Sequence, residues 1–186
     1  MSNFIERRLA LRDGREYLLR PLRDEDSTAM RALERANILA KEGVVKYEDE
    51  LPDEETYAAK LKERSETKGA LQVIAERAGT LVGEVSLARF QLRMLRHVGI
   101  LGLDVHPEAQ GVGLGRALFE SAIDWARAQA GDDALLRLEL YTRADNHRAI
   151  KLYQSLGFVI EGTRRGFIKQ ADGSLVDDYI MALLLC

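Results

Sequence analysis

The feature that most constrains this chain is a glycine-rich segment, Gln110-Gly-Val-Gly-Leu-Gly115, between a predicted strand and a predicted helix. The strand before it covers residues 97–105, and apolar residues at helical spacing follow it as far as Ala130. Another strand is predicted at 135–141. Strand, helix and strand in this order form a β-α-β unit, whose two strands are expected to be parallel. The chain must therefore place a parallel strand pair inside a layered fold of helices and strands.

Further strands and helices are predicted on both sides of this unit. The strands lie at 16–20, 71–76, 81–90, 158–162, 167–169 and 175–183, and the helices follow Asp24, begin near Asp53, and cover 146–156 with Asp145 as the cap. Several strands are separated only by short turns, which favours antiparallel pairing. We expect an α/β (α+β) fold with a mixed, mostly antiparallel sheet of six to seven strands, a central parallel β-α-β unit and helices on both faces.

Composition limits the partners and the compartment. The 186 residues carry 27 Lys and Arg against 30 Asp and Glu, a formal net charge of −3, which does not favour binding to nucleic acid or an anionic membrane. The single cysteine is Cys186, so no internal disulfide forms and a reducing compartment is expected. No apolar run approaches the roughly 20 residues that span a bilayer. We expect one cytoplasmic domain, 1–186, with no nucleic-acid or membrane partner.

Glycines between a strand and a helix N-terminus are typical of a phosphate-binding loop. Backbone N–H groups converge there, and the helix dipole adds positive potential. The same glycines also serve simply to tighten a turn, and the spacing alone does not separate the two interpretations. A P-loop is disfavoured because Arg116-Ala117 follows the last glycine, and the dinucleotide fingerprint is disfavoured because Arg116 stands at its third glycine.

Two motifs in order resemble the GNAT superfamily of N-acetyltransferases. Gln110, Gly113 and Gly115 satisfy the Arg/Gln-x-x-Gly-x-Gly/Ala pattern of the family's acetyl-CoA-binding segment. The segment 146–158, Asn-His-Arg-Ala-Ile-Lys-Leu-Tyr-Gln-Ser-Leu-Gly-Phe, is similar to the next conserved segment of that family. The C-terminal stretch 162–183 looks most like the branch that acts on small amines and amino acids, and ribosomal-protein N-terminal acetyltransferases share much of it.

The resemblance implies acetyl-CoA as cosubstrate and a set of residues that hold it. The pantetheine arm is expected to pair with the backbone of Leu103 and Val105 as an added strand. The pyrophosphate and neighbouring groups are expected to contact Gln110, Gly111, Val112, Gly113, Gly115, Arg116 and Asn146. Arg116 is equally consistent with a solvated helix residue, and Asn146 with part of a helix cap. The spacing of the three histidines does not predict a metal site.

The resemblance assigns one catalytic residue clearly and a second less directly. Tyr153 matches the family tyrosine that protonates the coenzyme A thiolate, although its spacing also suits packing in the core. Several relatives carry a glutamate on the strand before the glycine loop, where this chain has Ile100. Alternation places Asp104 on the face opposite Leu103 and Val105, which leaves Glu84 on the preceding strand as the candidate base, acting directly or through water.

These observations predict direct transfer of an acetyl group from acetyl-CoA to a primary amine of a small molecule or amino acid. Two alternatives stay open: a ribosomal-protein-type N-terminal acetyltransferase, and a coenzyme A-binding sensor without catalysis. A dinucleotide-dependent oxidoreductase is disfavoured by the broken fingerprint. Family members often form dimers, so a homodimer is a possible assembly.

Overall fold

A computed structural model of the chain describes residues 4–41 and 43–185. Within them the strands are β1 (Arg7–Ala10), β2 (Glu16–Pro21), β3 (Leu71–Arg77), β4 (Thr80–Arg89), β5 (Val98–Val105), β6 (Arg137–Arg143), β7 (Val159–Lys169) and β8 (Leu175–Leu184). The α-helices are α1 (Ser27–Ala40), α2 (Glu54–Glu66), α3 (Leu114–Arg127) and α4 (His147–Ser155). No helix in this part of the chain is long and apolar enough to cross a membrane.

The described strands form one mixed sheet in the order β1-β2-β3-β4-β5-β6-β8-β7. Every neighbouring pair is antiparallel except β5 and β6, which are parallel and flank α3 in the sequence. The predicted fold class is therefore confirmed, with eight strands in place of six to seven. The strand that sequence reasoning missed is β1, which is short, mostly exposed and begins with two arginines, so it has no apolar alternation. The separate strands predicted at 158–162 and 167–169 are one strand, β7, because the strand continues across the bulge between them.

Helices cover both faces of the sheet because neighbouring residues of each strand point to opposite faces. On β3, Ile74 packs with Met30 of α1 and Leu61 of α2. Its neighbours Val73 and Ala75 belong instead to the larger core that includes α3. The candidate site lies between the two parallel strands, β5 and β6, where they stop pairing.

Two helix starts can be compared with the sequence. The helix predicted to begin near Asp53 is α2, and Asp53 caps it by accepting a hydrogen bond from the Thr56 N–H at 2.8 Å. At α4 the cap is Asn146, whose Oδ1 accepts from the Ala149 N–H at 3.1 Å, so the prediction of Asp145 was wrong. Asp145 is one residue too early, and its carboxylate binds the guanidinium of Arg143 instead.

A buried ion pair joins the start of α1 to the sheet. The Arg20 guanidinium donates two hydrogen bonds of 2.7 Å to Asp26, and it also binds Glu76 of β3. Arg20 is 4% exposed and Asp26 is 7% exposed. Burial acts to raise the pKa of Asp26, but hydrogen bonds from Arg20 and from the Arg23 N–H hold that pKa below its usual value. The pair fixes the position of α1 relative to β2 and β3.

We expect Arg20→Met to lower the free energy of unfolding by about 3–5 kcal/mol, because it leaves the Asp26 carboxylate buried without its cation. The control is Arg8→Met, which removes an exposed ion pair with Glu16 on the neighbouring strand and costs less than about 1 kcal/mol. Urea denaturation at pH 7 measures both, and equal losses in the two variants would contradict the assignment.

Candidate active site

The sheet opens between β5 and β6. Their register covers only three residue pairs, from Val98↔Arg137 to Ile100↔Glu139, and beyond these the strands separate. A cleft of about 430 Å³ occupies the separation, lined on one side by residues 101–105 and on the other by 140–142. A break of this kind exposes backbone groups of β5 that an uninterrupted sheet would pair.

The backbone of β5 faces this cleft at alternate residues. The His106 N–H donates to the Val82 carbonyl at 2.9 Å, so the Val105 carbonyl points away from β4 and into the cleft. There it accepts a hydrogen bond of 3.0 Å from Gln110 Nε2. Alternation directs the N–H and C=O of Leu103 the same way. Both residues predicted to hold the cosubstrate by their backbone therefore line the cleft.

The glycine loop closes one end of the cleft at the start of α3. Gly113, the N-cap residue of α3, has φ +100°, a left-handed conformation that favours glycine. Gly115 lies where a Cβ would come within 3.3 Å of Leu103 Cδ2, so a larger residue would press on that side chain where α3 approaches β5. The first N–H groups of a helix have no partner within the helix, and these lie beside the cleft. The predicted residues that line this end are Gln110, Gly111, Gly113, Gly115 and Arg116.

Val112 is the one predicted loop residue whose side chain turns away from the cleft. It packs against the core, and its carbonyl accepts a hydrogen bond of 3.3 Å from the N–H of Arg12 in the β1–β2 turn. Val112 thus fixes the loop against the β1–β2 hairpin.

Three arginines line the cleft at this end: Arg12, Arg116 and Arg148. Arg148 donates a hydrogen bond of 2.6 Å to Gln110 Oε1, and Arg116 binds Glu120 and Ser155. Only Arg116 was singled out from the sequence. Arg148 lies inside the second motif, so the sequence could have identified it. Arg12 lies in the β1–β2 turn, far from both motifs, and its local sequence does not indicate a place in the cleft.

The segment after α1 covers part of the cleft near Asn146. Gly43 and Val44 line the cleft together with Asn146, and a Cβ added to Gly43 would lie 2.5 Å from Asn146 Nδ2. The Asn146 Oδ1 serves as the cap of α4, so the side chain does have the capping role that the sequence left open. Its position beside the cleft is also as predicted.

Tyr153 of α4 lies in the cleft and is 8% exposed. Its ring packs against Phe119 at 5.0 Å and Phe158 at 6.3 Å between centroids. None of the residues placed in the structure hydrogen-bonds to its hydroxyl group. Burial, with a smaller contribution from Asp104, raises the pKa of Tyr153 to about 12. The phenol therefore stays protonated at neutral pH, and its ring also packs in the core, as the sequence suggested.

Glu84 of β4 is 3% exposed and lies opposite Asp104 of β5. Burial, followed by the charge of Asp104, raises the pKa of Glu84 to about 7. Glu84 does not line the cleft, but Asp104 does, and Asn37 of α1 donates to its Oδ1 at 2.8 Å. Alternation places Asp104 on the face opposite the Leu103 side chain, as predicted. Asp104 nevertheless lines the cleft, because the separation of β5 and β6 opens the cleft to both faces.

Glu84→Gln should stabilise the fold at alkaline pH. A carboxyl group whose pKa is raised by folding stabilises the fold most at pH values below its pKa in the unfolded chain. That stabilisation is lost as the pH rises towards 7. The shift from 4.5 to about 7 corresponds to a cost of up to about 3 kcal/mol at pH 8. Urea denaturation should find the variant more stable than the wild type at pH 8 and equal to it near pH 4. A difference independent of pH would argue against a buried, titrating Glu84, and Glu16→Gln, at the exposed first residue of β2, is the control.

The comparisons with known proteins agree on one family. The model of the acetyltransferase (GNAT) family matches residues 31–158. The L-amino acid N-acetyltransferase AaaT of Escherichia coli is 32% identical over 118 residues, which are 61% of this chain and 68% of that protein. The ribosomal-protein alanine N-acetyltransferase of the same organism is 39% identical over 90 residues, 48% of this chain and 57% of that protein.

Solved structures share the fold over nearly the whole chain. An acetyltransferase of the GNAT family from Streptococcus pneumoniae superposes with a TM-score of 0.82 at 28% identity, covering 90% of this chain and 99% of that one. The protein yncA from Salmonella typhimurium, solved with its cofactor acetyl-CoA, gives a TM-score of 0.78 at 24% identity and covers 90% and 93% of the two chains. The cleft between parallel strands, the glycine loop and these matches together place the chain in the acetyltransferase (GNAT) family.

Proposed function

We propose that this acetyltransferase uses acetyl-CoA and transfers the acetyl group directly to a primary amine of a small molecule or an amino acid. The observation that carries the proposal is the cleft between β5 and β6, which has free backbone groups on one wall, a glycine loop at one end and the Tyr153 hydroxyl inside. Similarity to an L-amino acid N-acetyltransferase supports the acceptor class.

The residues of the cleft fit acetyl-CoA, which supplies the acetyl thioester when bound. The side chain of Gln110 already donates a hydrogen bond to the Val105 carbonyl. The N–H of Val105 and both backbone groups of Leu103 are therefore the groups that hold the pantetheine amides. The N–H groups at the start of α3 and the backbone of the loop from Gln110 to Arg116 receive the pyrophosphate. Asn146 presents its amide nitrogen at the same wall.

Arginines at the loop add charge for the phosphates. Arg12, Arg116 and Arg148 line this end of the cleft, and their guanidinium groups suit phosphate oxygens. The rest of the cleft has no comparable group of cations among the residues that line it. This uneven distribution of charge orients acetyl-CoA in the cleft, with its phosphates at the loop and its thioester towards Tyr153.

Tyr153 acts as the general acid for the departing thiolate. A phenol donates to a thiolate only where the thiolate is poorly solvated, since the thiol has a pKa near 8.5 and the phenol near 10. The buried position and the aromatic neighbours of Tyr153 exclude water from that contact. Glu84 assists removal of the proton that the acceptor amine must lose, and it acts through a group that lines the cleft, because Glu84 itself does not line it.

A second candidate function is acetylation of a peptide N-terminus, which the similarity to a ribosomal-protein alanine N-acetyltransferase favours. The third is a coenzyme A-binding sensor without catalysis. The cytoplasmic location, the single domain over 1–186, the homodimer and the lack of a nucleic-acid or membrane partner stay predictions.

The deciding measurement is release of free thiol from acetyl-CoA in the presence of amino acids, polyamines, other small amines or short peptides. We expect turnover with one small-amine class, and we expect Tyr153→Phe to lower kcat by 10-fold to 100-fold, in the range that a general acid contributes. The dissociation constant of acetyl-CoA should change less than about twofold, since the ring remains. Tyr17→Phe, which alters a buried tyrosine bonded to Asp13, is the control.

Turnover with peptides alone would establish the N-terminal acetyltransferase instead. Binding of acetyl-CoA without turnover across the panel would establish the sensor.

Gly113→Ala should weaken acetyl-CoA binding about tenfold, because it strains the residue that aims the first N–H groups of α3 at the phosphates. The matched control is Gly173→Ala in the turn between β7 and β8, where φ is +85° and the left-handed strain is of comparable size, about 1–2 kcal/mol. Neither added Cβ meets a neighbour within 4 Å. Calorimetric titration with acetyl-CoA should therefore separate the two variants, and an equal effect in both would mean that only stability has changed.

A further inference from the structure

Two carboxylates face each other on the side of the sheet covered by α1 and α2. Glu84 and Asp104 are direct partners in the antiparallel register of β4 and β5. Partners of this kind point to the same face, with Cβ atoms about 4.5–5.5 Å apart. Glu84 is buried, whereas Asp104 is half-buried and lines the cleft. One carboxylate is therefore deep, and the other reaches the space where the acceptor must bind.

The cations near this pair are occupied elsewhere or held at a distance. Arg64 lies 3.9 Å from Glu84, is largely exposed and also donates to Ser86. Lys46 is bound by Glu34. The polar and charged groups that face the pair from the surrounding elements are Glu34, Asn37, Lys46, Tyr57, Arg64, Gln72 and Tyr153. Among the described residues, the pair thus has only a largely exposed cation at 3.9 Å to offset its charge.

An unpaired amide oxygen next to the pair points to a missing hydrogen-bond donor. Asn37 is 5% exposed, lines the cleft and donates its Nδ2 to Asp104, but its Oδ1 has no donor among the described residues. Gln72 repeats the arrangement beside Glu84, with its Nε2 turned to the carboxylate at 3.5 Å and its Oε1 unpaired in the same part of the chain. Buried polar atoms are normally satisfied, and exceptions call for an explanation such as a ligand. An ammonium group beside Asp104 carries the donors that Asn37 Oδ1 lacks.

We propose that Asp104 and Glu84 work as one proton-accepting unit for the acceptor amine, with Asp104 in contact with the ammonium group and Glu84 as its positioning residue. The inference rests on the proposed acetyl transfer and deepens it by assigning the base. It also defines the acceptor, which enters as a cationic primary amine and makes hydrogen bonds to Asp104 and Asn37.

The proton balance follows from this arrangement. The ammonium group gives one proton to Asp104, and the neutral nitrogen then forms a bond to the thioester carbon. When the C–S bond breaks, the sulfur takes the Tyr153 proton and the nitrogen gives up its second proton, which restores the phenol. The carboxylate pair releases the first proton to solvent when the product leaves. Two nearby carboxylates raise each other's proton affinity, which makes the unit a stronger base than one carboxylate in water.

The test combines a pH profile with a titration that needs no turnover. With acetyl-CoA and the accepted amine, kcat/KM of the wild type should rise with pH through a midpoint near 7, where Glu84 loses its proton. Glu84→Gln should move that midpoint down by at least one pH unit and lower kcat about tenfold, because Asp104 loses the neighbouring charge. Asp104→Asn should lower kcat at least 100-fold with little change in acetyl-CoA affinity. The control is Asp124→Asn on the exposed side of α3.

Carbon-13 NMR of the carboxyl groups supplies the independent readout. If the pair is coupled, removing either carboxylate lowers the pKa of the other. Two results would contradict the carboxylate pair but not the proposed acetyl transfer. In both, the wild type turns over; in one, Asp104→Asn retains activity within threefold, and in the other the two carboxyl groups titrate independently. Coupled titrations in a wild type that binds acetyl-CoA but acetylates no amine would overturn the proposed function and, with it, the proton-accepting role.

Discussion

The separation of β5 and β6 is the constraint on which the rest of the site depends. Two parallel strands that pair for only three residues and then part leave one strand with unpaired backbone groups. The separation also lets α3 begin at the glycine loop beside the gap, and it gives Tyr153 of α4 access to the same space. In the proposed reaction the cosubstrate and the acceptor meet in this cleft, partly enclosed by the sheet, where electrostatic interactions are stronger than at the surface.

The backbone of β5 and the side chain of Asp104 contribute different groups to the site. The side chains of Leu103 and Val105 pack towards Gly115 of α3, while their backbone groups face the cleft. Asp104, between them, points to α1 and is held by Asn37. A single strand thus presents a binding surface through its backbone and a carboxylate through its side chain. Alternation along the strand makes this division automatic.

Motifs close in sequence predicted the local structure at the glycine-loop end of the cleft. The loop from Gln110 to Arg116 lies between a strand and a helix N-terminus as its spacing predicts, because a strand, a turn and a helix N-terminus are local structures. The other end of the cleft is assembled from distant segments. Asp104 meets Asn37 and Glu84 only through strand register and helix packing, and no local pattern encodes those contacts. Arg12 and Gly43 were missed for the same reason.

Burial of Glu84 links the stability of the fold to the proposed function. The fold keeps a carboxyl group 3% exposed, opposite a second carboxylate and next to a Gln72 amide oxygen that has no donor in the described part of the chain. An apolar pair at the same positions would pack on Ile74 and cost nothing in desolvation. Such arrangements persist where a strained environment is needed to shift a proton affinity. The ion pair of Arg20 with Asp26 holds the start of α1, the helix that carries Asn37. It therefore helps to keep Asn37 beside Asp104 and Glu84. This face of the sheet thus carries one fully paired buried charge that fixes α1 and the incompletely paired carboxylates of Glu84 and Asp104, to which we assign a part in the proposed reaction.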